Sequence, residues 1–203
     1  MDEEVKKSSE GFEEEFEPTY GTETAGLFIH EYLSKYKIAS IYEIYKAWVK
    51  FRKKYGYVVP SYYSFSQNYI YRLKKLGKID YYKEAENAST LKQIYIFTQD
   101  GKFVGTAYEM WRIRCSLMGV ISPNEFIDEL KNAIESNNYI VKYSTEYKDQ
   151  FKTRYIIIKD PKLDDAWIHP QKTYRKKIKE MHEEKAKSLI GKSHNDDHSS
   201  ISQ

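Results

Sequence analysis

Cysteine is almost missing from this chain. The one copy, Cys115, excludes an intrachain disulfide and a zinc site built on paired cysteines. Long apolar runs are missing too: none reaches the roughly 18–20 residues that a membrane-spanning helix needs. The N-terminus is acidic and lacks the basic-then-apolar pattern of a secretory leader. No glycine-rich phosphate loop followed by Lys-Ser or Lys-Thr occurs. The histidines are His30, His169, His182, His194 and His198, and the single i,i+4 pair, His194 and His198, falls in the low-complexity end "SHNDDHSSISQ". The replication-initiator form of tyrosine-nucleophile strand transfer needs two histidines flanking one hydrophobic residue for its metal, and that motif is absent. These absences point to a cytoplasmic protein with no membrane partner, no cofactor, no metal site and no catalytic residues.

Tyrosine and uneven charge are what the chain does have. Its 20 tyrosines stand against 9 phenylalanines and 3 tryptophans. A tyrosine ring can fill a thin core while its hydroxyl stays wet, and it can also stack on a base. The net charge of +3 divides unevenly: residues 1–24 carry −7, residues 25–83 carry +9, residues 84–170 carry −2 and residues 171–203 carry +3. A block of nine excess positive charges is the footprint of a polyanion partner. The acidic arm is expected to compete with that polyanion for the block.

Residues 1–23 and 192–203 are acidic or polar with few large apolar side chains and are expected to be disordered. Between them, apolar spacing predicts a first helix in "TAGLFIHEYLSKY", with Leu27, Phe28, Tyr32, Leu33 and Tyr36 inward. A second helix begins at the capping pair Ser40 and Glu43 and ends at Gly56. Its inner stripe is Ile41, Ile44, Tyr45, Trp48, Phe51 and Tyr55, and its outer face carries Lys46, Lys50, Lys53 and Lys54. Pro60 breaks the chain. Ser64 and Gln67 repeat the capping pair and predict a third helix over about 65–76, with Phe65, Tyr69, Ile70, Leu73 and Leu76 inward. Its other face holds Ser66, Gln67, Asn68, Tyr71, Arg72, Lys74 and Lys75. "KIDYY" and "LKQIYIFT" read as antiparallel strands around the loop "KEAENAST".

This order, with "YRLKKLGKI" leading into a hairpin, resembles the winged helix-turn-helix family over about residues 24–98. The Lys, Ile, Tyr and Glu bias is similar to that of small regulators of thermophilic archaea and their plasmids or viruses. The resemblance implies that the third helix enters the major groove of double-stranded DNA and that the wing touches backbone or minor groove. Gln67, Asn68, Tyr71, Arg72 and Lys74 would then face base edges, with Ser66 and Lys75 beside them. Lys46, Lys50, Lys53, Lys54 and the wing residue Lys83 would contact phosphates. Two departures stand out. The segment "YGYVVPSYY" is longer than a tight helix-turn-helix turn, and the wing loop carries Glu84 and Glu86 beside Lys83, so it is not strongly cationic.

The second half reads as helix, helix and hairpin. Val104, Tyr108, Trp111, Cys115 and Met118 recur at helical spacing. "SPNEFIDELKNAIESNN" has Ser122 as N-cap, Pro123 first and Glu125 completing the box, with Phe126, Ile127, Leu130 and Ile134 inward. "YIVKYS" and "TRYIIIKD" predict a hairpin around "TEYKDQFK", so residues 100–169 form a helix-plus-hairpin unit, a degenerate second winged unit or a dimerisation region. Asp164 and Asp165 read as solvated loop charges. Residues 170–191 read as a charged helix whose narrow seam, Tyr174, Ile178, Met181 and Leu189, interrupted by Lys185, suits packing on a neighbour or on its own copy, with docking back on its own chain as the equal alternative.

The expected fold class is therefore α+β: a winged helix-turn-helix domain over 24–99, the second unit, and the charged C-terminal helix. The expected function is a sequence-specific transcriptional regulator on double-stranded DNA, a homodimer through residues 100–191. A winged-helix scaffold that binds only protein is the alternative. Single-stranded DNA or RNA binding requires exposed tyrosines.

Overall fold

In the computed structural model, which describes residues 16–18, 24–144 and 153–193, the chain is mixed α+β with two small antiparallel sheets. Helix α1 (Ala25–Tyr36) buries Phe28, Ile29, Tyr32 and Leu33. Strand β1 (Ile38–Ser40) leads directly into α2 (Ile41–Lys54). The predicted capping box forms there: Ser40 Oγ accepts from the Glu43 amide at 3.1 Å, and Glu43 Oε2 accepts from the Ser40 amide at 2.7 Å. Gly56 takes φ +70°, the left-handed conformation that lets the chain leave the helix without a Cβ clash. Tyr55, expected inward, is 53 % exposed because α2 has already ended beside it.

The third helix begins earlier than predicted. Ser61, not Ser64, is the cap; it lies extended directly after Pro60, and its hydroxyl accepts from the Ser64 amide at 3.1 Å. Helix α3 (Tyr62–Phe65) continues through a π-helical turn (Ser66–Ile70) into α4 (Tyr71–Lys75). The wider turn inserts a residue and shifts every later side chain around the axis. Leu73 is fully buried, whereas Leu76 is half-buried.

Neither predicted hairpin forms. Strand β2 (Ile79–Tyr81) and strand β3 (Ile94–Phe97) lie in different sheets. The segment between them folds as a 3₁₀ turn (Lys83–Ala85) and helix α5 (Ala88–Leu91), because Ala85, Ala88 and Leu91 are buried. Strand β3 is the centre of the second sheet, between β4 (Phe103–Thr106) and β5 (Ile140–Tyr143). Strand β6 (Tyr155–Ile158) does not pair with β5. It inserts between β1 and β2, antiparallel to both, with Ile157 opposite Ile38 and Asp80. The run "YIII" is the most apolar strand, and a central position lets both of its faces be buried. The loop 145–152 of that expected hairpin lies outside the described residues.

This three-stranded sheet is a wall shared by two cores. Ala39, Ile79 and Ile156 face a core with Phe28, Trp48, Phe65 and Leu73. Ile38, Tyr155 and Ile157 face a core built on α6 (Ala107–Met118) and α7 (Pro123–Asn137), with Trp111, Cys115, Phe126 and Leu130. The α7 cap is as predicted, Ser122 with Glu125, and α6 has its own at Thr106 and Glu109. Val104 is not on that helix: it sits in β4, 37 % exposed, and Met118 at the helix end is 74 % exposed.

Helix α8 (Asp165–Ile168) seats Trp167 against α1, close enough that a Cβ on Gly26 would lie 1.9 Å from the Trp167 carbonyl oxygen. Helix α9 (Pro170–Ser193) follows. Its seam does have a partner in the same chain at its start. Tyr174 meets the Tyr71 ring edge-on at 6.1 Å, and Lys177 Nζ donates to the Lys75 carbonyl at 3.1 Å. From Lys179 to Leu189 the helix is exposed.

Part of the acidic arm is docked. The Phe16 ring packs edge-on against Phe28 and Tyr32, and Glu17 forms an ion pair with Lys54. An isolated Phe in an acidic stretch carries no periodic signal, so its seat on α1 was not legible from spacing. The other arm residues, 1–15 and 19–23, and the tail from 194 on lie outside the described residues.

Candidate nucleic-acid interface

Between Glu43 and Asp80 the chain holds no acid and nine lysines or arginines. This is the segment of α2, the following loop and the third helix. Lys46, Lys50 and Lys53 recur at i, i+4 and i+7 and are all exposed. Tyr42, 57 % exposed, begins the same stripe, and its ring lies 6.0 Å from the Tyr62 ring at the start of α3. The lysine stripe and the N-terminal end of the third helix are therefore neighbours. Tyr62 also packs on Tyr45 at 5.3 Å, and Tyr45 Oη donates to the Pro60 carbonyl at 3.0 Å.

The predicted readout residues divide into two groups. Gln67 is exposed, Ser66 is half-buried beside it, and Tyr63, one turn earlier, is 74 % exposed. Asn68 is half-buried and spends a side-chain donor on Ser64 Oγ at 3.0 Å. Beyond the π turn the face meets α9. Tyr71 lies against Tyr174, Lys75 stands 5.5 Å over the Tyr71 ring, and Arg72 is half-buried. Arg72 Nη1 is buried and finds no hydrogen-bond partner among the described residues. Lys74 forms an ion pair with Asp80 and lies 4.2 Å over the Tyr81 ring. Lys83 is exposed, but on the 3₁₀ turn rather than on a wing.

Lys78 belongs to the basic block in sequence only. It is 3 % exposed, and its Nζ donates to Asp160 at 2.6 Å, Asp164 at 2.7 Å and the Lys162 carbonyl at 3.2 Å. Burial pulls its ammonium down, the two carboxylates push it up, and the net position is above the ordinary lysine value. Asp164 is accordingly not a solvated loop charge: it pairs with Lys78 and caps α8 through the Ala166 amide. A charge count cannot tell a lysine that points at solvent from one that closes a fold.

Spacing also passed over Arg52 and the loop it holds. The Arg52 guanidinium lies 5.3 Å from the Trp48 ring and 4.7 Å from the Tyr57 ring. Its Nε and Nη2 both donate to the Val58 carbonyl, at 3.0 and 2.8 Å. The signal was present in "YGYVVPSYY": a run of tyrosine and valine is unusual between two capped helices.

Among the described residues no cluster of three His, Cys, Asp or Glu side chains could hold a metal ion, and no helix is long and apolar enough to cross a membrane. Compared with known proteins, the chain matches no family model, no curated protein and no solved structure.

Proposed function

We propose that this chain is a double-stranded DNA-binding protein, a cytoplasmic sequence-specific transcriptional regulator that meets DNA through α2, the 55–61 loop and the start of the third helix. The observation that carries the reading is the acid-free segment 44–79, whose outward stripe Lys46, Lys50 and Lys53 adjoins Tyr62, Tyr63 and Gln67. Lysines set the register on phosphates, and Gln67 has the amide fork that pairs with adenine in the major groove. Arg72, which is half-buried, and Tyr71 and Lys75, which are exposed but lie beside α9, lend less to the contact than Gln67. No wing is invoked, since β2 and β3 belong to different sheets.

Selection from a random duplex library, followed by sequencing, tests the reading directly: an enriched motif is expected. On that motif, Gln67→Ala should cost about 1–3 kcal/mol and should change binding to random DNA little. Lys50→Ala with Lys53→Ala should weaken both DNAs alike and flatten the salt slope by about two units. Both sites are exposed, so the melting temperature should hold. Equal weakening of both DNAs by Gln67→Ala would restrict the third helix to phosphate contact, and failure to enrich any motif would remove sequence specificity.

The proposed regulator is a dimer. Ile113, Leu117 and Met118 leave an apolar patch at the end of α6, 40 %, 76 % and 74 % exposed, and α9 extends with Met181 and Leu189 in solvent. Light scattering should give twice the chain mass for the full protein and a monomer for a chain ending at Glu180, which keeps the Tyr174 and Lys177 contacts. Equal masses would assign the outer part of α9 to solvent.

A further inference from the structure

Among the described residues Val58 is the most exposed large apolar side chain, at 83 %. Exposure of this kind usually goes with a loose loop, but this loop is held at several points. The two Arg52 hydrogen bonds end on the Val58 carbonyl itself, and Arg52 is stacked between Tyr57 and Trp48, which is 2 % exposed. The Tyr57 amide donates to the Arg52 carbonyl at 2.8 Å, Gly56 supplies the left-handed turn at φ +70°, and Tyr45 holds the Pro60 carbonyl. Backbone and base of the loop are pinned while the Val58 side chain and part of the Tyr57 ring point into water. Val58 is not a singly scattered apolar residue: the Tyr55 and Tyr57 rings beside it, 6.5 Å apart, are 53 % and 43 % exposed, and an apolar cluster held this rigidly marks a contact surface.

The surroundings of the tip identify the partner. Lys50 and Lys53 stand exposed on the last turns of α2 before it, Lys54 joins them once it leaves Glu17, and along the chain no acid occurs between Glu43 and Asp80. A partner that welcomes a valine and a ring edge among several lysines must offer apolar faces between negative charges. Stacked base pairs between phosphate strands do so. Apolar side chains inserted at a base step partly unstack it and kink the duplex.

We propose that the Tyr57–Val58 tip is a wedge that inserts at a base step of bound duplex DNA and bends it. The proposal rests on the DNA-binding reading and adds to it a deformation of the DNA. Arg52 is the positioning residue: it carries the tip and does not itself reach the bases.

The test uses the full chain and a 30-bp random-sequence duplex labelled at both ends for energy transfer. A second duplex carries a central two-nucleotide bulge, which is already unstacked. Transfer is read at saturating protein, so that a change in affinity cannot pass for a change in bend. The unaltered protein should raise end-to-end transfer and should prefer the bulged duplex by about tenfold or more, since the unstacking cost is already met there. Val58→Ser should bind with the bend and the preference both lost and the melting temperature unchanged. Val58→Leu, which keeps an apolar tip, should bend as the unaltered protein does. Binding without bending by the unaltered protein, or equal bending by Val58→Ser, overturns the wedge and leaves the DNA reading standing. No binding to either duplex overturns both.

Discussion

Replacing Arg112 by alanine should destabilise the fold by roughly 3–5 kcal/mol, the cost of leaving a buried partner charge alone. Glu43 is that partner. Its Oε2 accepts from Arg112 Nη1 at 2.8 Å as well as from the Ser40 amide, and its other oxygen accepts from the Tyr108 hydroxyl. The side chains of Arg112 and Glu43 are 11 % and 20 % exposed. Burial pushes the Glu43 carboxyl up, while Arg112, Tyr108 and the Ser40 amide pull it down, and the net position is below the ordinary glutamate value. In the unaltered protein this contribution is present above the unfolded carboxylate value, about 4.3. It is lost as pH falls through the lower folded value. Without Arg112 the balance reverses and burial raises the carboxyl. The folded state then holds a proton that the unfolded state releases, so the variant should gain stability as pH falls from 7 toward about 4.5. Denaturant unfolding of both proteins at several pH values measures this. A deficit under about 1 kcal/mol, or one that does not narrow in acid, would mean that the pair contributes little across the α2–α6 contact.

Raising salt from 50 to 200 mM should weaken binding to duplex DNA by roughly 500-fold, if about five phosphates are neutralised at a slope near −0.9 each. Five is fewer than the cations of the basic block because the fold withdraws some of them. Lys78 is buried on two aspartates and Lys74 faces Asp80. Lys46, Lys50, Lys53, Lys54 and Lys83 remain exposed, and Lys54 must first leave Glu17. Titration of a labelled duplex at several salt concentrations gives the slope. A flat response would sink the polyanion reading, and a slope near −8 would mean that α9, with Lys172, Arg175, Lys176 and Lys179, joins the contact.

Helix starts and stops were legible because their physics is local. Ser40 with Glu43 and Ser122 with Glu125 satisfy orphan amides within three residues, and Gly56 ends a helix by its own φ. The mixed class and the position of the basic block follow from the same near-neighbour patterns. The earlier start of the third helix at Ser61 and its π turn were not legible. Two serines compete for one cap, and a wide turn leaves no mark in apolar spacing.

Strand pairing was decided only in three dimensions. Chain proximity favours hairpins, but β6 joins Ile38–Ser40 to Ile79–Tyr81 across more than half the chain, because that arrangement puts an apolar strand between two cores. The same long-range closure buries Lys78 on Asp160 and Asp164, sets Arg112 on Glu43, and brings Tyr174 onto Tyr71. The sequence alone determined where the long helices α1, α2, α6, α7 and α9 lie and where positive charge gathers, since neighbouring residues settle those, whereas the short helices α5 and α8 form only where packing buries them. Which cations reach solvent, and which faces of the third helix stay open, depended on partners 82 to 102 residues away that only packing brings into contact.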